Sequence, residues 1–227
     1  MSAEAVELTR RVTEEARRAG ASLVGFAEVG DVCAFPRAVA VAIHHTSPVF
    51  DPVEGMPSRP YHGEYEDFNR RLDEIIAHLA AFLTGEGYAV QANSSTITPE
   101  LNRETLSMPF PHKTAATRAG MGWIGKSALL VTPEYGPALR LSSLLTDAPL
   151  VTGTPIMQSQ CGDCRVCQDA CPGGAILGGN WYAGRPREEF YDAFACARTA
   201  RERSQASGVM DIICGVCMAV CPRRAKG

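Results

Sequence analysis

The chain lacks several features that would settle its class quickly. No apolar run approaches the roughly 18–20 residues that span a bilayer. The first residues, Met1-Ser2-Ala3-Glu4-Ala5-Val6-Glu7, lack the basic and apolar regions of a secretory signal, so the expected location is cytoplasmic. Neither sign of charge is in excess: 22 Lys and Arg against 25 Asp and Glu leave a net charge of −3 over 227 residues. That balance offers no electrostatic footprint for a phosphate backbone, which argues against a primary nucleic-acid binder. Disorder and low-complexity structure are excluded by 45% hydrophobic and 21% charged residues, values ordinary for a folded chain. The first 160 residues hold a single cysteine, Cys33, read as a small buried hydrophobe.

Eight of the nine cysteines therefore crowd into the last third: Cys161, Cys164, Cys167, Cys171, Cys196, Cys214, Cys217 and Cys221. A disulfide framework is not expected in a reducing compartment, and eight thiolates supply two four-ligand sites. Cys161 to Pro172 spells C-x2-C-x2-C-x3-C-P, the bacterial ferredoxin run for [4Fe–4S] clusters. Close spacing wraps three thiolates around one face of a cubane, and the fourth reaches the other cluster. A zinc ribbon would explain paired C-x2-C units, but it needs neither the three cysteines in a row nor the Cys-Pro endings. The second run, Cys214 to Pro222, is C-x2-C-x3-C-P, with Asp211 where a further cysteine would stand. Two ligand arrangements follow. Cys161, Cys164, Cys167 and Cys221 hold one cluster in both. The other is held by Cys171, Cys214 and Cys217 with either Cys196 or Asp211, and the softer thiolate favours Cys196.

The remainder reads as α+β. Ala5, Leu8, Val12, Ala16 and Ala19 mark one face of a helix, and Phe68, Leu72, Ile75, Ile76, Leu79 and Leu83 mark a second. Strands are expected over Ser22–Val29, Ala38–Ile43 and Tyr88–Ala92, with Ala128–Val131 paired to Leu139–Leu145. Pro and Gly between Pro48 and Gly63 suggest a long loop, and Ala115–Ala119 looks helical. The expected division is a first domain over 1–154 and a cluster domain over 155–227.

Ala119-Gly120-Met121-Gly122-Trp123-Ile124-Gly125-Lys126, then Thr132-Pro133-Glu134-Tyr135-Gly136, then the cysteine runs, resemble epoxyqueuosine reductase over about half the chain, from Lys113 to Cys221. Reductive dehalogenases share the arrangement. The resemblance implies a nitroreductase-like domain that binds cobalamin, followed by a ferredoxin-like domain with two [4Fe–4S] clusters. It implies the ligand sets above, with Cys196, and a corrinoid near Gly122, Trp123, Ile124, Gly125 and Lys126. The glycines there would let backbone approach a flat macrocycle. No Asp-x-His-x-x-Gly signature is present, so cobalamin is expected with its lower base detached and no protein imidazole on cobalt. The family's acidic proton donor falls at Leu106, with Thr105 and Ser107 beside it, and leucine cannot donate. His112 is the candidate substitute, because imidazole titrates near neutrality.

The chain ends six residues after Cys221, without the helical-repeat tail of tRNA-acting relatives, and tight tRNA binding is not expected. His44 and His45 read as structural, while Tyr61, His62 and Tyr65 could roof a pocket. The leading function is an iron–sulfur oxidoreductase passing electrons to bound cobalamin, for reduction of a small substrate or a partner's corrinoid. A low-potential ferredoxin or flavodoxin is the expected donor. The alternatives are an electron-transfer module without its own catalytic site and an FMN-dependent reductase.

Overall fold

The computed structural model describes residues 2–45, 47–50, 53–94 and 101–225. Its helices and strands separate into two compact units, each assembled from three stretches of chain. Unit one comprises Met1–His44, Phe68–Met121 and Arg140–Ile156; unit two comprises His45–Asp67, Gly122–Leu139 and Met157–Gly227. Each unit is thus discontinuous in sequence. The physical reason lies in the composition of the cysteine segments, which hold too few apolar residues to make a core alone. Unit two draws Val49, Phe50, Met56, Tyr61 and Ala138 from earlier in the chain and packs them with Val209, Ile213, Val216 and Met218.

Unit one is built on a four-stranded sheet in the order β1 (Leu23–Glu28), β2 (Arg37–His44), β6 (Leu139–Thr146), β3 (Val90–Asn93). β1 and β2 run antiparallel with Leu23 opposite Ala42, and β3 and β6 antiparallel with Val90 opposite Thr146. β2 is buried along its centre, which matches its unbroken apolar run. Helix α1 (Ala3–Arg18) begins at Ser2, whose hydroxyl accepts from the Ala5 amide, and it ends on Arg17 and Arg18, cations that suit a helix C-terminus. Its Leu8, Val12 and Ala16 join Leu72, Ile75, Leu79 and Leu83 of α2 (Arg59–Gly85) and Val39, Val41 and Leu144 of the sheet in one core.

Three expectations are corrected. Much of the stretch from Pro48 to Gly63 is helical: a 3-10 turn covers Ser47–Phe50, another Val53–Gly55, and α2 starts at Arg59; residues 51 and 52 lie outside the described residues. Ser58 explains the early start, because its Oγ accepts from the Tyr61 amide at 3.2 Å. Pro60 is tolerated because a first-turn amide has no helical partner to lose. Second, Leu130–Val131 (β5) pairs not with β6 but with Trp123–Ile124 (β4) in a small hairpin, while β6 joins the main sheet. The turn is local, with the Gly125 amide donating to the Leu129 carbonyl and the Ala128 amide to Gly125. Third, Cys33 is half-buried, in the turn after β1, with its thiol near the carbonyls of Val29 and Phe35.

Candidate metal centre

The site belongs to unit two. Cys167 lies in the four-residue helix α4 (Val166–Asp169), and Cys217 occupies the same position in α6 (Val216–Ala219). In each segment one cysteine stands two residues before the helix and another two residues past its end: Cys164 and Cys171, then Cys214 and Cys221. The two segments are therefore a repeat, and Cys161 of the first corresponds to Asp211 of the second.

The third dimension breaks that correspondence. Asp211 sits against His62, Oδ2 to Nε2 2.8 Å, and His62 Nδ1 faces Glu66 at 3.6 Å. Cys196 instead lies in the first turn of α5 (Ala193–Ala206), where Asp192 caps the helix by accepting from the amides of Phe194 and Ala195. Gly173 permits the approach of α5 to the first cysteine segment, since a Cβ there would meet Thr199 Oγ1 at 2.3 Å. Cys171, Cys196, Cys214 and Cys217 all line one cavity of about 160 Å³, with Tyr61, Tyr191 and Ile213 among its other walls.

The thiols sense one another mostly within two groups, with Cys167 and Cys217 linking them. Burial first, then the neighbouring Cys161, Cys221 and Cys164, push the Cys167 thiol up to about 11. Burial likewise raises Cys221, with Cys161 and Cys164 adding to it and the backbone amides of Arg223 and Arg224 opposing it. Cys217 is raised by burial and by Cys196, Cys214, Cys167 and Cys171. Burial also raises Cys196, as do Cys214 and Cys171, while a hydrogen bond from Tyr191 lowers it. Thiols held this way are protonated without metal, and a metal must displace those protons to gain thiolate ligands.

Group size separates the two metal readings. A tetrahedral zinc site with bonds of about 2.3 Å brings its sulfurs within about 3.8 Å of each other. Among the described residues, the groups of three or more His, Cys, Asp or Glu with ligand atoms within 4.8 Å comprise only His62, Glu66 and Asp211. Among the described residues no three cysteines close to that spacing, so the thiols as placed do not form a tetrahedral single-ion site. The donor set is all soft thiolate and the cavity is lined mostly by apolar residues, which suits an iron–sulfur cubane. His62 bridges the carboxylates of Glu66 and Asp211 within unit two.

The hairpin from Gly122 to Val131 belongs with these cysteines. A Cβ on Gly122 would fall 2.2 Å from the Val131 carbonyl oxygen, and one on Gly125 would fall 2.9 Å from Val131 Cγ2 and 3.6 Å from Cys161 Sγ. Lys126 is 5% exposed, and its Nζ donates to the Cys164 carbonyl at 2.9 Å. Trp123 and Ile124 are buried, and the Trp123 indole N–H has no protein partner. The glycines are demanded by the hairpin itself, and the side chains of Trp123, Ile124 and Lys126 are covered by protein.

His112 opens α3 (His112–Arg118) in unit one. Its Nε2 lies 2.9 Å from the Ser94 carbonyl and its Nδ1 2.8 Å from Ser143 Oγ. The carbonyl requires N–H at Nε2, and Nδ1 pairs with the serine hydroxyl. Burial holds its pKa below 6.5. With both nitrogens engaged, His112 ties α3 to the sheet. Leu106 occupies a turn with φ 50°, between Asn102 and Ser107 that bridge across it. His44 meets Ser22, and His45 meets Glu64 while packing on Phe50 and Tyr61; both serve structure. Of Tyr61, His62 and Tyr65, Tyr61 lines the cavity, from the first turn of α2.

Residues 160–224 match the family described as 4Fe-4S double cluster binding domain, so the cysteine-rich part of the chain carries a double-cluster domain. The curated proteins it resembles include the epoxyqueuosine reductase of Listeria monocytogenes, 38% identical over 112 residues, or 49% of this chain and 27% of that protein. The chain thus matches about a quarter of the length of that relative. Its fold, over nearly the whole chain, is shared with solved structures at low identity. One is a reductive dehalogenase described with a mechanism for B12-dependent dehalogenation (TM-score 0.70, 21% identity, 95% of this chain, 31% of that one). Another is an epoxyqueuosine reductase with a tRNA-Tyr epoxyqueuosine-modified stem loop (TM-score 0.62, 20% identity, 96% and 66%). The chain therefore resembles this pair of enzyme families, and the α+β class expected from sequence holds. No helix among the described residues is long and apolar enough to cross a membrane.

Proposed function

We propose that this chain is an iron–sulfur oxidoreductase that passes single electrons from two [4Fe–4S] clusters to a bound cobalamin. One cluster is held by Cys161, Cys164, Cys167 and Cys221, the other by Cys171, Cys196, Cys214 and Cys217. The observation that carries the reading is the shared cavity: it gathers all four thiols of the second set, from three separate stretches of sequence, and leaves Asp211 with His62. Clusters of this kind supply electrons one at a time at potentials the protein tunes. The protein's part is to hold the thiolates, exclude water with Ile213, Met218 and Tyr61, and place donors such as Lys126 beside the ligands. Cobalamin as the acceptor is supported by the shared fold with an enzyme described as B12-dependent; the names of these relatives give no support to FMN.

The named relatives favour epoxyqueuosine as the substrate to test first, ahead of the small-molecule reading that the charge and Leu106 suggested. Reduction of that substrate in a tRNA stem loop and docking of a ferredoxin or flavodoxin donor belong to the same proposal. Anaerobic reconstitution should give about eight irons per chain, two clusters of four. Added cobalamin should shift its visible bands, and its cob(II) spin resonance should show no nitrogen ligand. Cys196→Ala should lose about half the iron while Asp211→Ala keeps it. About four irons in the wild type, or unchanged cobalamin bands, would refute the corresponding half of the reading.

A further inference from the structure

We propose that Tyr191 is a positioning residue for electron transfer: its hydroxyl donates to the Cys196 ligand across their common cavity and raises the reduction potential of the second cluster. The inference rests on Cys196 being a ligand of that cluster. Cys196 comes from neither cysteine run. It therefore sits outside the turns that carry the other ligands. Its own amide is spent inside α5, on the Asp192 carbonyl at 3.1 Å. Tyr191 supplies a replacement donor.

Several backbone bonds fix the tyrosine. Tyr191 bridges Ile176, its amide donates to the Arg187 carbonyl at 2.9 Å, and the next amide, Asp192, donates to Ala175 at 2.8 Å. Asp192 then caps α5. The ring thus precedes the helix cap by one residue, the thiol follows in the first turn, and both side chains line the same cavity. In an apolar pocket a hydrogen bond from hydroxyl to sulfur is screened little by solvent.

The direction follows from charge. One electron enters from a low-potential one-electron reductant such as a reduced viologen, and the cluster goes from the 2+ to the 1+ state. Negative charge on the thiolate sulfurs grows, so a donor aimed at one of them favours the reduced form. The O–H bond stays intact and no proton moves, so the potential should not vary with pH around neutrality through this group.

The test is Tyr191→Phe in the full chain with both clusters in place, titrated anaerobically and followed by spin resonance. Removing the hydroxyl should disfavour reduction of one cluster by up to about tenfold, a downward shift of about 59 mV for one electron, with the other midpoint and the iron content unchanged. An unmoved pair of midpoints, or equal movement of both, would overturn the proposal. Failure of the underlying reading looks different: Cys196→Ala would then retain full iron.

Discussion

Gly122→Ala is the sharpest probe of what the glycine-rich hairpin does. The new Cβ would stand 2.2 Å from the Val131 carbonyl oxygen, 2.9 Å from its carbon and 3.1 Å from Thr132 Cα. Carbon–oxygen contacts settle at about 3.3–3.6 Å, so the deficit is about 1 Å against backbone that cannot rotate aside. Overpacking costs about 1–3 kcal/mol and more where relaxation is blocked. We expect about 3 kcal/mol, roughly a hundredfold in the folded-to-unfolded ratio and a large part of a typical domain's stability. Because the same hairpin carries Gly125 up to Cys161, iron in the first cluster should fall as well. Gly63→Ala is the control: it lies exposed in α2 with nothing within 4 Å of its added Cβ, and a helical glycine replaced by alanine gains about 0.8–1 kcal/mol. The assay is urea unfolding followed by circular dichroism, with iron content measured alongside. If Gly122→Ala unfolds within about 0.5 kcal/mol of wild type, keeps its iron and loses only cobalamin binding, the glycine serves the macrocycle and the hairpin argument is wrong.

Lys126→Met removes a buried ammonium that donates to the Cys164 carbonyl at 2.9 Å. The midpoint of the first cluster should fall, and that of the second should hold, in the same spin-resonance titration; movement of the second alone would refute the placement. His112 gives a pH dependence. Burial depresses its pKa below 6.5 in the folded protein, so the unfolded chain binds the extra proton first as pH falls. Its contribution to stability is therefore complete above about 6.5 and declines as pH drops through the window down to the folded pKa. Urea midpoints at about pH 7.5 and about pH 5.5 should differ more in the wild type than in His112→Gln, and equal differences would rule this out.

The parts of the molecule that were legible in sequence are those set by short-range periodicity. The apolar spacing of α1 and of α2 from Phe68 onward, and the runs that became β1, β2 and β6, report burial on one side or both. Strand partnership was not legible: β5 and β6 are neighbours in sequence, yet β6 is long and buried enough to enter the main sheet, while β5 is claimed by a hairpin only two pairs wide. The start of α2 was hidden because Pro60 and Gly63 read as breakers, although Ser58, two residues before the proline, carried the cap signal. The division into units was hidden for a deeper reason. No local pattern tells Val49, Phe50 and Met56 that their apolar partners lie about 160 residues on, at Val209 and Ile213.

The metal centre shows the same limit in its ligands. Seven of the eight thiols follow from spacing alone, because a one-turn helix between cysteines fixes where the sulfurs point. The eighth does not. By the internal correspondence of α4 and α6, the ligand should be Asp211, three residues before Cys214 just as Cys161 precedes Cys164. On the ligand set proposed above, what replaces it is a helix arriving from outside the motif, admitted by Gly173, which lacks the Cβ that would strike Thr199. Asp211 is left to hold His62 at the start of α2. The exchange of aspartate for cysteine at one corner would then make both clusters all-thiolate, and it would set the outlying ligand beside Tyr191 in the same cavity, where the proposed hydroxyl donor could tune one cluster without the other.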